Sequence, residues 1–195
     1  GLIDGSILAT GTGTDKIQLD NSAAGVTAVV DADDISGVLR IELTDADGAS
    51  AAGQATSVTF AAITEATVQT FTIDGSVVTD ADDDLTVDGV LNTTTTTTFD
   101  ITGGAGDDTL DGGDGADTIT GGSGADDLDG DAGNDIVSGG AGNDIITDGA
   151  GNDTVTGGDG NDIITLAAGT DNISGGAGND TFTATTQLTS ADTLA

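Results

Sequence analysis

The residues best suited to chemistry are aspartates that recur at every ninth position between residues 103 and 183. A nine-residue phrase is repeated nine times there without a break, and its sixth position is always Asp. These aspartates are Asp108, Asp117, Asp126, Asp135, Asp144, Asp153, Asp162, Asp171 and Asp180. Carboxylates at constant spacing supply the oxygen ligands that hard cations prefer, so the column predicts cation binding.

Glycines surround each of these aspartates and predict a turn lined with oxygens. The fourth position is always Gly, and most repeats also begin with Gly. Glycine lets the backbone adopt positive φ and fold its carbonyls toward a common point. Ca²⁺ accepts six to eight such ligands, whereas Mg²⁺ holds its waters too tightly for a cage of carbonyls. The candidate glycine ligands are Gly103, Gly106, Gly112, Gly115, Gly121, Gly124, Gly133, Gly139, Gly142, Gly151, Gly157, Gly160, Gly175 and Gly178.

The last three residues of each repeat predict a very short strand. They alternate polar, apolar and polar, which leaves one side chain pointing inward. The apolar residues are Leu110, Ile119, Leu128, Val137, Ile146, Val155, Ile164, Ile173 and Phe182. One inward residue per repeat cannot bury itself alone, whereas stacked repeats bury a continuous stripe. The fold class predicted is therefore an all-β solenoid.

The phrase resembles the GGxGxDxUx nonapeptide of the RTX (repeats-in-toxin) proteins, over 81 of the 195 residues. The resemblance implies a right-handed parallel β-roll with two repeats per coil and Ca²⁺ held between successive turns on the same side. It implies one row through Asp108, Asp126, Asp144, Asp162 and Asp180, and another through Asp117, Asp135, Asp153 and Asp171. The sixth-position aspartates would bridge the ions and glycine carbonyls would complete their coordination, giving up to about seven calcium sites.

Three repeats depart from the phrase. Asp131 replaces the second glycine of one repeat, Asp148 the first glycine of another, and Leu166 and Ala167 replace both in the eighth. A side chain in a glycine position costs strain where φ is positive. We therefore expect the site between Asp153 and Asp171 to be the weakest.

The net charge of −33 narrows the choice of partners. Lys16 and Arg40 are the only cations against 35 carboxylates. Nucleic acid and anionic membranes are excluded as partners, and no apolar run is long enough for a transmembrane segment. Because His and Cys are absent, a triad, a thiolate nucleophile and a zinc site are excluded, and we expect no enzyme activity.

We divide the chain into three regions: residues 1–100, the repeats at 101–183, and 184–195. The first is β-like, with a worn repeat copy at residues 10–18 and candidate strands at 38–43, 55–62, 66–73, 85–90 and 93–101. It is an irregular solenoid leading into the regular one, or a small β-sandwich; its few large residues favour the solenoid. Residues 187–195 look like another worn copy with Asp192 and Leu194 in their columns, so 184–195 continues the solenoid.

Two functions agree with these features. The first is an extracellular structural protein that folds and self-associates on binding Ca²⁺, such as a bacterial S-layer, surface filament or coat subunit. The second is a calcium-triggered folding module of a larger type I secreted enzyme, toxin or adhesin, as the RTX resemblance also implies. Because the sequence does not begin with Met, we expect a segment of a longer polypeptide, whose other parts are candidates for binding a cell-surface polysaccharide.

Overall fold

In the described residues the chain forms a parallel β-solenoid whose successive strands belong alternately to two sheets. The computed structural model describes residues 14–20, 27–30, 38–44, 56–60, 69–76, 78, 84–89, 97–185, 188 and 192–195. Within these ranges there are 17 strands and no helix, and all strand pairs are parallel. The all-β solenoid predicted from the repeats is thereby confirmed.

The strands are numbered in chain order and alternate between the two sheets. The nine-stranded sheet contains β1 (Thr14–Asp20), β3 (Val38–Thr44), β5 (Gln69–Asp74), β7 (Thr97–Gly104), β9 (Thr118–Ser123), β11 (Ile136–Ala141), β13 (Thr154–Asp159), β15 (Asn172–Ala177) and β17 (Thr193–Leu194). The eight-stranded sheet contains β2 (Thr27–Val30), β4 (Thr56–Phe60), β6 (Leu85–Asp88), β8 (Thr109–Asp111), β10 (Asp127–Asp129), β12 (Ile145–Thr147), β14 (Ile163–Leu166) and β16 (Thr181–Ala184).

In the repeat region each coil contains two nonapeptides. Leu110 pairs with Leu128 in the next coil, and Ile119 pairs with Val137, each 18 residues further along the chain. Parallel strands that stack in this register place identical repeat positions above one another. The eighth-position residues accordingly form the core, and all are at most 1% exposed except Phe182, which is 36% exposed in the last coil, beyond β14.

The first part of the chain extends the same two sheets. β1, β3 and β5 lead into β7, while β2, β4 and β6 lead into β8, so the described strands are coils of one solenoid and not a sandwich. Phe71 and Phe99 stack in the core there, with ring centroids 5.4 Å apart. β1 and β2 are not among the candidate strands, although β1 overlaps the worn copy at residues 10–18. Residues 10–13 of that copy, and residues 55, 61–62, 66–68, 90 and 93–96 of the candidate strands, lie outside the described residues. The boundary that we placed between residues 1–100 and the repeats at 101–183 falls inside β7, which is a continuous strand.

The worn copy at the end of the chain also stacks on the solenoid. β17 pairs with β15, and Leu194 lies opposite Ile173, 21 residues away instead of 18. The three extra residues correspond to residues 184–186, which lie between the end of the ninth repeat at residue 183 and the worn copy at 187–195. In the part of the chain described, no helix has the length and hydropathy of a membrane span.

Candidate metal centres

The nine sixth-position aspartates lie in the turns, each directly before a strand. The turns that lead into the eight-stranded sheet carry what we call the first row: Asp108, Asp126, Asp144, Asp162 and Asp180. The turns that lead into the nine-stranded sheet carry the second row: Asp117, Asp135, Asp153 and Asp171. Eight of the nine aspartates are at most 4% exposed, and Asp180, in the last coil, is half-buried.

One oxygen of each carboxylate holds neighbouring coils together. In the first row, the backbone N–H of Asp108 donates to Oδ1 of Asp126 at 2.9 Å, and the N–H of Asp126 donates to Oδ1 of Asp144 at 3.0 Å. The pattern continues to Asp180, and the second row repeats it from Asp117 to Asp171. In the coil after that, Oδ1 of Asp192 accepts the N–H of Asp171 at 3.3 Å. Asp192 thus occupies the aspartate column expected from the sequence.

The other oxygen of the carboxylate has no hydrogen-bond partner although it is buried. This holds for Oδ2 of Asp108, Asp117, Asp126, Asp135, Asp144, Asp153 and Asp162. Buried polar atoms in proteins are almost always satisfied, so seven orphans in equivalent positions require a common explanation. Cations bound along the two rows would explain all seven unpartnered oxygens.

Glycine carbonyls converge on the same points as these oxygens. A Cβ built on Gly121 would collide with Oδ2 of Asp126 and lie 2.7 Å from the carbonyl oxygen of Gly139, one coil later. The same holds around Gly103, Gly139 and Gly157, while a Cβ on Gly175 would collide with Oδ2 of Asp180. In the second row, a Cβ on Gly112 would lie 2.7 Å from Oδ2 of Asp117. The first-position glycines therefore leave an oxygen-lined space that fits a calcium ion.

The fourth-position glycines have a different surrounding. In the first row, a Cβ on Gly124, Gly142, Gly160 or Gly178 would collide with the carbonyl oxygen of the equivalent glycine one coil earlier, which is Gly106 for Gly124. In the second row, a Cβ on Gly133 or Gly151 would likewise collide with the carbonyl oxygen of the equivalent glycine one coil earlier. Gly115, Gly133 and Gly151 also lie next to Oδ1 of the aspartate in their own turn. These glycines allow the coils to approach closely, and Oδ2 is not among the nearest atoms around them except at Gly115.

When no cation is present, burial raises the pKa values of six row aspartates: Asp108, Asp117, Asp126, Asp135, Asp144 and Asp153. The pKa rises from 3.8 to about 7 for Asp108, about 8 for Asp117, about 6 for Asp126 and about 7 for Asp135. Loss of hydration is the main cause and the next aspartate in the row adds repulsion, while a backbone N–H opposes the rise. A divalent cation between the carboxylates favours their ionised form.

The rows begin where apolar residues replace aspartate. Oδ1 of Asp108 accepts the N–H of Leu85 at 2.7 Å, and Oδ1 of Asp117 accepts the N–H of Phe99 at 2.6 Å. Leu85 and Phe99 thus stand one coil earlier at the position of the aspartates, and both are buried in the core. In the described residues the two rows of sixth-position aspartates therefore begin at Asp108 and Asp117. The number of ions in them stays a prediction.

The departures from the phrase have unequal effects. The second position is left-handed in several repeats, with φ of 126° at Gly122 and 118° at Gly140, and Asp131 adopts φ of 61° in that column. Asp131 is the only described residue other than glycine with positive φ. Asp148 and Ala167 therefore lack the backbone strain expected at substituted glycine positions. This strain was the reason to expect the weakest site between Asp153 and Asp171, and that reason does not hold.

Asp148 was not among the sequence-predicted ligands, yet it lies beside two of them. Asp148, Asp153 and Asp171 are buried, and each offers a carboxylate oxygen within 4.8 Å of the others. Oδ1 of Asp148 accepts the N–H of Ala167 at 2.7 Å, whereas Oδ2 is an orphan. Because the phrase has glycine at this position, only the 18-residue register could have indicated that a carboxylate here points into the second row.

Comparison with known families identifies the repeats. The family model of the RTX calcium-binding nonapeptide repeat matches four overlapping copies, at residues 102–137, 129–164, 138–173 and 167–185. No significant match was found among curated proteins or among solved structures. The matched residues contain both aspartate rows.

Proposed function

Because the repeats in residues 102–185 belong to the RTX calcium-binding nonapeptide family, and so bind calcium, we propose that this chain is an extracellular structural protein that folds and self-associates on binding Ca²⁺. Its place would be a bacterial S-layer, surface filament or coat. The observation that carries the proposal is the set of seven buried, unpartnered Oδ2 atoms in the two rows. We assign it no catalytic role.

Calcium-dependent folding follows from the cost of burying these carboxylates. Taking a charged group out of water without a partner is strongly unfavourable, and so is keeping it protonated at neutral pH. The carboxylates of adjacent coils would hold a divalent cation in these turns, and its positive charge would offset the cost of burying them. The solenoid is therefore stable where calcium is abundant and unstable where it is scarce.

The calcium concentration outside the cell suits a chain whose folding depends on Ca²⁺. Extracellular modules bind Ca²⁺ with Kd on the order of 10⁻⁴ to 10⁻³ M. At about ten times Kd each independent site contributes about 1.4 kcal/mol, so several sites together reach the stability of a typical domain. In a calcium-poor cytosol this contribution disappears. The proposed location is thus the bacterial cell surface, reached by a chain that folds after export.

Self-association is supported by the outer face of the solenoid. Ile145 and Ile163 lie opposite each other on β12 and β14 and are 48% and 46% exposed. They form an apolar patch on a surface whose overall charge is strongly negative. Charge repulsion opposes contact between copies, and bound divalent cations remove part of it. Calcium would accordingly promote both folding and contact.

The alternative is a calcium-triggered folding module within a larger type I secreted enzyme, toxin or adhesin. The aspartate rows favour it equally, because they require calcium for folding and no contact between copies. On this alternative, catalysis, lysis or the binding of a cell-surface polysaccharide would reside in other parts of the parent protein.

Light scattering during a calcium titration, from chelator to ~10 mM Ca²⁺ (above the extracellular Kd range), separates the two functions. The structural proposal predicts reversible growth into large, regular particles once the chain has folded. Folding to a stable monomer would contradict self-association and support the module. Mg²⁺ at the same concentrations is the control, and we expect neither folding nor growth with it.

A further inference from the structure

The turn at residues 148–153 differs from every other turn of the second row. Its first position carries Asp148, whereas Gly112 and Gly130 occupy the same column in the two preceding coils. The next coil has Leu166 there, a buried side chain at the end of β14. The column therefore changes from glycine to a carboxylate and then to an apolar residue within three coils.

Asp148 brings a third carboxylate to this turn. Its oxygen lies within 4.8 Å of ligand atoms of Asp153 and Asp171, and within the described residues no other three acidic side chains meet in this way. The exposed fractions are 0% for Asp148, 2% for Asp153 and 4% for Asp171. Three mutually repelling groups are thus held together away from water.

The hydrogen bonds leave free oxygens in this cluster. Oδ1 of Asp148 accepts the N–H of Ala167 at 2.7 Å, and Oδ1 of Asp153 accepts the N–H of Asp135 at 2.9 Å. Oδ2 of Asp148 and Oδ2 of Asp153 are both buried without a partner. Two orphaned oxygens on fully buried side chains, beside a third carboxylate, point to a ligand of positive charge.

We propose that Asp148, Asp153 and Asp171 form a three-carboxylate cation site that binds Ca²⁺ more tightly than the two-carboxylate sites of the rows. The affinity of calcium sites rises with ligand charge and rigidity, and this cluster has the higher charge in a fully buried setting. The same charge makes it the preferred site for a trivalent lanthanide, which resembles Ca²⁺ in size and ligand preference. The proposal rests on calcium binding by the repeats and adds Asp148 as a ligand.

A pair of substitutions tests the role of Asp148. Asp148→Asn keeps the acceptor for the Ala167 N–H and removes one negative charge from the cluster. Asp131→Asn removes the same charge from the same row, outside the cluster, and is the matched control. Calorimetric calcium titration of the whole chain should show the tightest binding step weakened about tenfold or more in Asp148→Asn and nearly unchanged in Asp131→Asn.

The outcomes separate this proposal from the function on which it rests. If the natural chain takes up no Ca²⁺, the proposed function itself fails. If it binds several ions and the tightest step is equal in Asp148→Asn, the three-carboxylate site is overturned while calcium binding stands.

A second measurement needs no variant and applies even if Asp148→Asn does not fold. Substoichiometric Gd³⁺ is added to the calcium-loaded natural chain, and the broadening of assigned amide resonances is followed by NMR. The proposal predicts that signals of Asp148, Asp153 and Asp171 broaden first. Earlier or equal broadening around first-row turns, for example at Asp126 and Asp144, would overturn it.

Discussion

At the scale of the residue, each aspartate of the rows divides two tasks between its oxygens. Oδ1 accepts a backbone N–H from the neighbouring coil, as Asp144 does from Asp126 at 3.0 Å. In the seven aspartates from Asp108 to Asp162, Oδ2 is buried without a hydrogen-bond partner, and in the first row it lies beside glycine carbonyls. An asparagine at the same place can perform the first task but lacks the negative charge for the second.

Asp144→Asn should therefore weaken calcium binding while leaving the coil contact in place. We expect the unfolding free energy in Ca²⁺ to fall by about 1–3 kcal/mol, the usual cost of a buried polar group that loses its partner. Chemical denaturation at fixed calcium measures this. Asp159→Asn, on an exposed strand residue, is the control and should stay within about 0.5 kcal/mol. Equal losses in the two variants would contradict the division of tasks.

The raised pKa values predict how the calcium-free chain responds to pH. Asp108, Asp117, Asp126 and Asp135 have folded-state pKa values of about 6 to 8, above the ordinary 3.8. Because the folded chain binds these protons more tightly, the stability they contribute is full below about 3.8 and lost as the pH rises through about 6 to 8. Without calcium, acid favours folding.

Circular dichroism in chelator should accordingly show more β-structure at pH 5 than at pH 8. In Ca²⁺ the order reverses, because protons compete with the ion for the carboxylates. The difference in chelator should persist in ~0.5 M NaCl, since salt screens exposed charges and not the cost of burial. Identical spectra at both pH values in chelator would mean that the aspartate rows do not control folding.

At this scale the sequence indicates which positions are equivalent where the phrase is regular and gives no such guide where the phrase is broken. The aspartate and apolar columns are visible in the sequence, because the sixth and eighth positions carry the same type of residue in every repeat. The role of Asp148 could not be predicted, because it depends on which residues stand one coil away. Its contact with Asp153 and Asp171 is a property of the stack.

At the scale of the element, the turns depend on backbone conformations that side chains disfavour. The second position of the repeat is left-handed at Gly122, Gly140 and Gly158, and Asp131 adopts φ of 61° in the same column. Aspartate tolerates this region better than most residues but at some cost.

Two substitutions at the second position of the repeat should change the unfolding free energy in opposite directions. Asp131→Gly should raise the unfolding free energy in Ca²⁺ by about 0.5–1 kcal/mol, because it relieves the left-handed conformation. Gly140→Ala should lower it by more than about 1 kcal/mol, since φ is 118° and the new Cβ would collide with the carbonyl of Gly122. Thermal unfolding measures both. A stabilising Gly140→Ala would refute this description of the turn.

The strands place neighbouring residues on opposite faces, which allows a matched test of the core. Ile146 is fully buried and Ile145, next to it in β12, is 48% exposed. Ile146→Ala should cost about 2–5 kcal/mol of unfolding free energy. Ile145→Ala should cost less than about 1 kcal/mol and reduce particle growth in calcium. Equal costs would contradict the inward and outward alternation.

Element boundaries were predicted best where apolar and polar residues alternate strictly. The strands of the repeats begin at the seventh position, as in Thr118 of β9 and Thr154 of β13. β9, β11, β13 and β15 nevertheless run for six residues instead of the three expected, because their pairing continues into the next repeat, where Gly122 lies opposite Gly140. In the first half of the chain, β2 was missed, because four residues without a repeat carry little periodic signal. Its place in the stack comes from pairing with β4.

At the scale of the whole molecule, two kinds of coil share one pair of sheets. The coils before Asp108 are stabilised by apolar residues such as Phe71, Phe99 and Leu85. In the later coils most strands bury one large apolar residue, whereas β14 buries two, Ile164 and Leu166, and the turns of these coils carry the carboxylate rows. In a solenoid each coil contacts only its neighbours, so stability is the sum of local terms. Calcium should act on the second kind of coil alone.

Amide hydrogen exchange in calcium and in chelator at pH 7 tests the central claim most directly, because it measures protection coil by coil. With Ca²⁺, the N–H groups of Asp117, Asp126 and Asp135, which donate to the next aspartate in their row, should exchange slowly. In chelator they should exchange as fast as in an unfolded chain. Equal protection of these three amides with and without calcium would contradict the claim that the ion holds the aspartate rows together.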